Sequence, residues 1–273
     1  MINTVGSLHE NALIERPVNA GRIMVINADR VAYTGLLGAT STRKFGALTV
    51  YASFRSPLRS CAEGGDWRTA KLVVVPPYTP HKIVSEDRVI GMLMIEPESI
   101  DAKCLPRFLQ PELVYEDRTR VLGHIRESFL RLMRGDITAS KSTVDLDRLF
   151  FGQVLESRKL DRRIALVVDK IRSAPCQQFP AEACSQLAGL SFSRFLHLFK
   201  SEVGVPFRCF RAWKRARNFL AYVKVPNLTE VALEIGYPDS THFSHSIRNV
   251  YGLMPKDICA GSRRLAIISH VGG

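Results

Sequence analysis

The 273-residue sequence lacks paired cysteines, clustered metal ligands and long apolar runs, and each absence removes a class of protein. Its six cysteines, Cys61, Cys104, Cys176, Cys184, Cys209 and Cys259, are scattered, with no C-x-x-C and no Cys/His set at zinc spacing. A zinc module and a disulfide scaffold are therefore excluded; buried free thiols are the ordinary reading, with redox sensing as the alternative. Before residue 190 the only histidines are His9, His81 and His124, and there is no His-x-His. A metal-dependent catalyst needs two or three histidines and a carboxylate converging, so the sequence predicts no metal, no cofactor and no enzyme. No apolar run approaches the ~20 residues of a transmembrane helix, and the first residues lack a basic segment followed by an apolar one. The expectation is a cytoplasmic protein with no membrane partner.

What is present is a folding chain with unevenly distributed charge. Apolar residues make up 46%, which argues against a disordered or fibrous chain, and the length suits two domains. The net charge of +12 is concentrated towards the C-terminus: residues 161–273 hold 16 Lys+Arg against 8 Asp+Glu, whereas residues 1–160 hold 22 against 18. A basic half favours a polyanion, most simply nucleic acid, although charge alone fits a non-specific binder or a membrane surface about as well.

Between Gly21 and about Ile100, short β-branched and aromatic runs such as 22–26, 47–51, 71–75 and 90–95 are broken by Gly, Pro and Asp. Strands of about five residues between turns predict a small antiparallel barrel or sandwich. Pro76, Pro77 and Pro80 forbid both helix and ladder, so 76–81 is expected to be an extended turn. Tyr78 and His81 in it are candidates for an effector site; His81 alternatively serves as a turn residue satisfied by the backbone. The period then changes. Residues 116–134 place Val121, Leu122, Ile125, Phe129, Leu132 and Met133 on one face of an amphipathic helix. That stripe suits the chain's own core or the same helix of a second chain, which makes Leu122, Ile125 and Phe129 candidate homodimer contacts. A further helix is expected from Val144 to Leu155, and the charged stretch 156–163 marks a domain boundary. Beyond it a helix from Ile164 is stopped by Pro175.

Two later segments repeat one pattern. Gly189-Leu190-Ser191 and Gly236-Tyr237-Pro238-Asp239 align so that, at an offset of 48, Ser191 meets Asp239, Phe195 meets Phe243, Phe199 meets Ile247, Lys200 meets Arg248 and Gly204 meets Gly252. Each copy reads helix, glycine turn, helix: the helix-turn-helix unit. In the first, Pro180 and Glu182 suit a helix start, small Ser185 permits close crossing, Gly189 turns and Ser191 caps. Asn227 with Glu230, and then Asp239, play these parts in the second. The N-terminal half of the second helix of such a unit enters the major groove. Ser193, Arg194 and His197 in one unit, and Thr241, His242 and His245 in the other, are thus predicted to read base edges, with Leu196 placed to meet a thymine methyl. His197 and His245 share a register, as groove-reading positions would; two solvated surface histidines are the alternative. Ser191, Lys200, Arg215, Ser240 and Arg248 are the candidate phosphate contacts. Between the units Pro206 opens a helix, 207–223, carrying Arg208, Arg211, Lys214, Arg215 and Arg217. It spans roughly 25 Å, suited to holding two recognition helices about one DNA turn, roughly 34 Å, apart.

These residues resemble the AraC/XylS family of bacterial transcription regulators. From about Ile164 to Ile258, Gly189-Leu190-Ser191, Phe195, Phe199-Lys200, Gly204-Val205, Phe207, Arg215, Gly236-Tyr237, Asp239 to Ser244, Gly252 and Pro255 follow that family's order and spacing. The resemblance implies an α+β two-domain protein. Residues 1–158 would form a cupin-like antiparallel β-barrel with trailing helices that senses a small molecule or partner and dimerises. Residues 159–262 would form an all-α DNA-binding domain, two helix-turn-helix units on a linker helix. The implied partners are double-stranded promoter DNA, a small-molecule effector and, for an activator, RNA polymerase. Four positions depart from the family pattern: Cys184-Ser185 replaces Leu-Ala, Phe219 an Ala, Ile247 a Phe and His245 an Arg. The first three repack the core, and the fourth bears on the base preference of the second unit. A cupin enzyme fused to a DNA-binding domain is the competing class, without its metal ligands here; a non-specific architectural DNA binder is a third.

Overall fold

The computed structural model describes residues 21–110, 116–174 and 176–270, with residues 116 and 117 described by backbone alone. His9 and Pro175 lie outside the described residues. The strands are β1 (Ile23–Ile26), β2 (Arg30–Leu36), β3 (Leu48–Ser53), β4 (Leu58–Ala62), β5 (Arg68–Ala70), β6 (Leu72–Val75), β7 (His81–Val84), β8 (Val89–Ile95) and, after the helices, β9 (Ala266–Ser269). Six of them form a sheet in the order β6-β3-β8-β2-β1-β9, and β5-β4-β7 form a second. The pairings are antiparallel except that β9 runs parallel to β1, with Ile23 opposite Ala266. The expected antiparallel β domain is thus present, but among the described residues it is not a closed barrel: β6 and β9 remain as edges of the large sheet.

The large sheet is apolar on both faces, and this explains the near-continuous hydrophobic runs in its strands. Ile23, Val25, Val50 and Leu93 point into one core; Met24, Ile26, Tyr51 and Met94 point into another. On the first face lie α1 (Glu116–Arg134) and α2 (Thr143–Phe151). Leu122, Ile125 and Phe129 are buried there within the chain's own core. The dimer role expected of them is corrected: burial against the sheet leaves their side chains no surface for a second chain. Gly91 of β8 permits this packing, since a Cβ there would lie 2.9 Å from the Phe129 ring. Ser142 caps α2, which ends at Phe151 rather than Leu155 because Gly152 takes the left-handed conformation.

The remaining helices are α3 (Arg162–Ser173), α4 (Ala181–Leu187), α5 (Phe192–Val203), α6 (Phe207–Asn218), α7 (Leu228–Glu234), α8 (Ser240–Tyr251) and α9 (Pro255–Gly261). The linker is α-helical only to Asn218 and continues as a 3-10 turn, Phe219–Tyr222. Helices α3 to α5 and the start of α6 enclose a core of their own. The rest of α6, with α7 and α8, shares the second core of the large sheet.

Candidate nucleic-acid interface

Helix α4 is joined to α5 through Gly189 (φ +63°), and α7 to α8 through Gly236 (φ +84°). Both glycines hold the left-handed conformation that side chains disfavour, so the turn is encoded where the repeat predicts it. In the first unit Phe195 and Phe199 meet Phe207 of α6 edge-on, with ring centroids 5.1 and 4.9 Å apart. In the second, Phe243 packs on Phe219 at 5.2 Å and Tyr237 at 5.5 Å. Phe219 thereby fills space that an alanine would leave open. Asn227 accepts from the backbone N–H groups of Thr229 and Glu230, and Asp239 from that of His242. Ser191 occupies the equivalent place before α5 in extended backbone, but contrary to expectation its hydroxyl makes no cap bond.

The structure puts Ser191, Ser193, Arg194, His197 and Lys200 on the exposed side of α5, with Leu196 half-buried. Ser240, Thr241, His242, His245 and Arg248 are exposed on α8. His242 is tied to its own helix, its Nδ1 2.8 Å from Asp239 Oδ2. The two sets occupy equivalent faces, and neither is obstructed by burial.

The effector candidates behave differently. His81 opens β7 and is buried; its Nε2 lies 2.7 Å from the Tyr51 hydroxyl and its Nδ1 2.8 Å from the Thr79 carbonyl. Burial lowers its pKa to about 4, opposed by the Thr79 hydrogen bond and aided by Arg43. With both ring nitrogens occupied, His81 has no group left for an effector, which corrects that expectation. Tyr78 adopts a positive φ of 59° and is half-buried. Its hydroxyl has no hydrogen-bond partner, and burial, then the fields of Glu96, Glu98 and Cys209, raise its pKa. It therefore belongs to the seam between β domain and α6. A cavity of about 10 Å³ lined by Arg30, Asp147 and Phe150, among others, touches neither residue and has room for a single water.

At that seam lie the residues that sequence reasoning missed. Lys214 and Arg217, two of the five cations the linker carries, are buried against the β domain. Lys214 Nζ stands 2.5 Å from Glu96 Oε2 and 2.5 Å from Glu98 Oε1; Arg217 Nε stands 2.7 Å from Glu96 Oε1. Trp213 Nε1 donates to Glu96 at 2.9 Å, and Arg217 also donates to the Arg30 carbonyl at 3.1 Å. Burial alone would push the Glu96 carboxyl up, but Lys214 and Arg217, with hydrogen bonds from Lys214 and Trp213, more than offset it and hold it below the usual range. Glu98 pairs by charge with Lys214 and Arg172, yet none of these contacts is aligned as a hydrogen bond and its oxygens accept none. The sequence signals were two carboxylates, Glu96 and Glu98, directly after a buried strand, and the helical spacing of Lys214 and Arg217 with Phe207 and Phe210. Of the remaining cations, Arg208 is exposed, Arg211 is half-buried over Phe207, and Arg215 is half-buried 5.1 Å above the Tyr237 ring.

Two helix-turn-helix units thus share one helix and are joined to a β-rich domain. Residues 184–260 match the helix-turn-helix domain family. The fold as a whole is similar to that of ToxT from Vibrio cholerae. The apo form of a ToxT variant from strain SCE256 is 11% identical, with a TM-score of 0.54 over 86% of this chain and 98% of that one. Wild-type ToxT of that strain with an unsaturated fatty acid bound is 13% identical, with a TM-score of 0.50 over 88% and 98%. ToxT from strain O395 gives 11% and 0.54 over 85% and 97%. At these identities the likeness concerns the fold alone. None of the curated proteins matches the chain. Among the described residues no helix is long and apolar enough to cross a membrane, and no group of three His, Cys, Asp or Glu is placed to hold a metal.

Proposed function

We propose that the chain is a sequence-specific regulator that reads a non-palindromic promoter site with α5 and α8, and that an effector acting on its β domain changes how α6 is held. The observation that carries this reading is the burial of Lys214 and Arg217 on Glu96 and Glu98. Helix α6 lies between the two readers, so the grip of the β domain on it bears directly on their separation. The grip takes two carboxylates and two cations out of water together. Their desolvation offsets much of the gain from pairing, which leaves the seam responsive to a competing small molecule or partner protein. ToxT, whose fold the chain shares, is known with an unsaturated fatty acid bound, which supports an effector for this architecture. Promoter DNA is the required partner, RNA polymerase the further one for an activator, and a homodimer would use a surface other than the α1 stripe.

Selection of bound fragments from random duplex DNA tests the reading. The expected result is an asymmetric consensus with two elements about one helical turn apart, and a Glu96→Gln variant that tolerates altered spacing between them. Equal competition by random and selected DNA would overturn sequence-specific regulation.

A further inference from the structure

We infer that Asp239 sets the tautomer of His242, so that the second recognition helix presents a hydrogen-bond acceptor to the major groove and selects a base offering an amino group there, cytosine or adenine. The inference rests on the proposed reading that α8 enters the groove.

Asp239 bonds His242 twice. Its Oδ1 accepts from the His242 backbone N–H at 2.8 Å, and its Oδ2 lies 2.8 Å from the ring Nδ1. Those bonds, the backbone one foremost, hold the Asp239 carboxyl below its usual range. It is then a carboxylate at neutral pH and can only accept, so Nδ1 must carry the hydrogen. In a neutral imidazole the other nitrogen, Nε2, is left as a bare lone pair. The His242 side chain is 71% exposed and is the third residue of α8, within the half of the helix that meets bases.

The first unit has no such device. Its cap residue, Ser191, makes no side-chain bond, and the residue in register with His242 is Arg194, which can only donate. The two helices therefore present opposite polarity. In the major groove guanine offers two acceptors, whereas cytosine N4 and adenine N6 are donors. The first unit is matched to guanine and the second to an amino-bearing base.

The test uses the full chain at pH 8, where imidazole is ordinarily neutral, and selection from a random duplex library. Asp239→Asn keeps a cap oxygen but sets an amide donor against Nδ1, which moves the ring hydrogen to Nε2. Asp239→Ser keeps a cap oxygen that does not reach the ring. The wild-type chain is expected to enrich cytosine or adenine at one position of the second element. Asp239→Asn is expected to exchange it for guanine or thymine, by on the order of fivefold or more. Asp239→Ser is expected to lose the preference there, with the first element unchanged in all three. Nitrogen NMR of labelled histidine is expected to show the hydrogen on Nδ1 in the wild type and on Nε2 in Asp239→Asn. An unchanged consensus despite a switched tautomer overturns the inference. So does a uniform tightening on all sequences, which would make His242 a phosphate contact. If the wild-type chain enriches no sequence at all, the regulator reading itself falls, and this inference with it.

Discussion

His81 and Tyr51 form a buried pair, 2.7 Å apart, in which an ionisable ring is held where its charged form is poorly solvated. The histidine's folded pKa of about 4 lies below the ordinary value of 6.5. Between those values the unfolded chain binds more protons, so the contribution is fully present above pH 6.5 and is lost as pH falls towards 4. The loss amounts to about 3 kcal/mol at its full extent. Urea unfolding at intervals from pH 7 to pH 4 is expected to show a falling midpoint for the wild type and a shallower fall for His81→Gln; matching profiles would show that His81 is not the group responsible. From the sequence the same residue was open to two roles, because a proline-rich approach does not say which side chain waits across the sheet. Arg194 and His245 were easier to place, since an exposed position on a short helix follows from periodicity alone.

Helix α6 carries its cations on two sides, and the difference should be measurable. Lys214 and Arg217 lie on the same stripe as Phe207 and Phe210 at helical spacing, so the periodicity already assigned them inward once cations are allowed in a core. Removing either takes one of its two cations from the buried Glu96 carboxylate. Lys214→Ala and Arg217→Ala are expected to cost about 3–5 kcal/mol of stability while leaving the salt dependence of DNA binding as it was. Exposed Arg208 is expected to do the reverse: Arg208→Ala should leave the thermal midpoint alone and reduce the slope of log K against log salt by about 0.9. A lowered slope for Lys214→Ala in a stable protein would place that lysine on the DNA side.

At the scale of the molecule, the β domain and the second helix-turn-helix unit share one core, whereas the first unit has its own. The attachment is reinforced by the backbone N–H of Lys44, which donates to the Val250 carbonyl at 2.9 Å near the end of α8. The chain then returns to the β domain through β9, covering the edge of β1. Truncation after Arg264 would remove Leu265, Ile267 and Ile268 from the cores and bare that edge. Scanning fluorimetry is expected to show a midpoint lower by roughly 10 °C; an unaltered midpoint would show that β9 adds nothing to the fold. Glu96 adds a second acid-sensitive element. Its folded pKa is depressed, so its contribution is present above the ordinary carboxylate range and is lost as pH falls through and below that range.

The sequence by itself determined the elements and the repeat. Short β-branched runs between turns, helical stripes, caps and glycine turns are local consequences of residue type, and Gly189, Gly236 and Asp239 perform locally what their positions implied. Tertiary structure alone decided how the faces are used. The α1 stripe packs on the chain's own sheet, the linker cations divide between carboxylates and solvent, and β9 pairs in parallel with β1. The physical reason is range: Glu96 meets Lys214 across 118 positions of chain, and no pattern within a few turns of helix or strand contains that encounter.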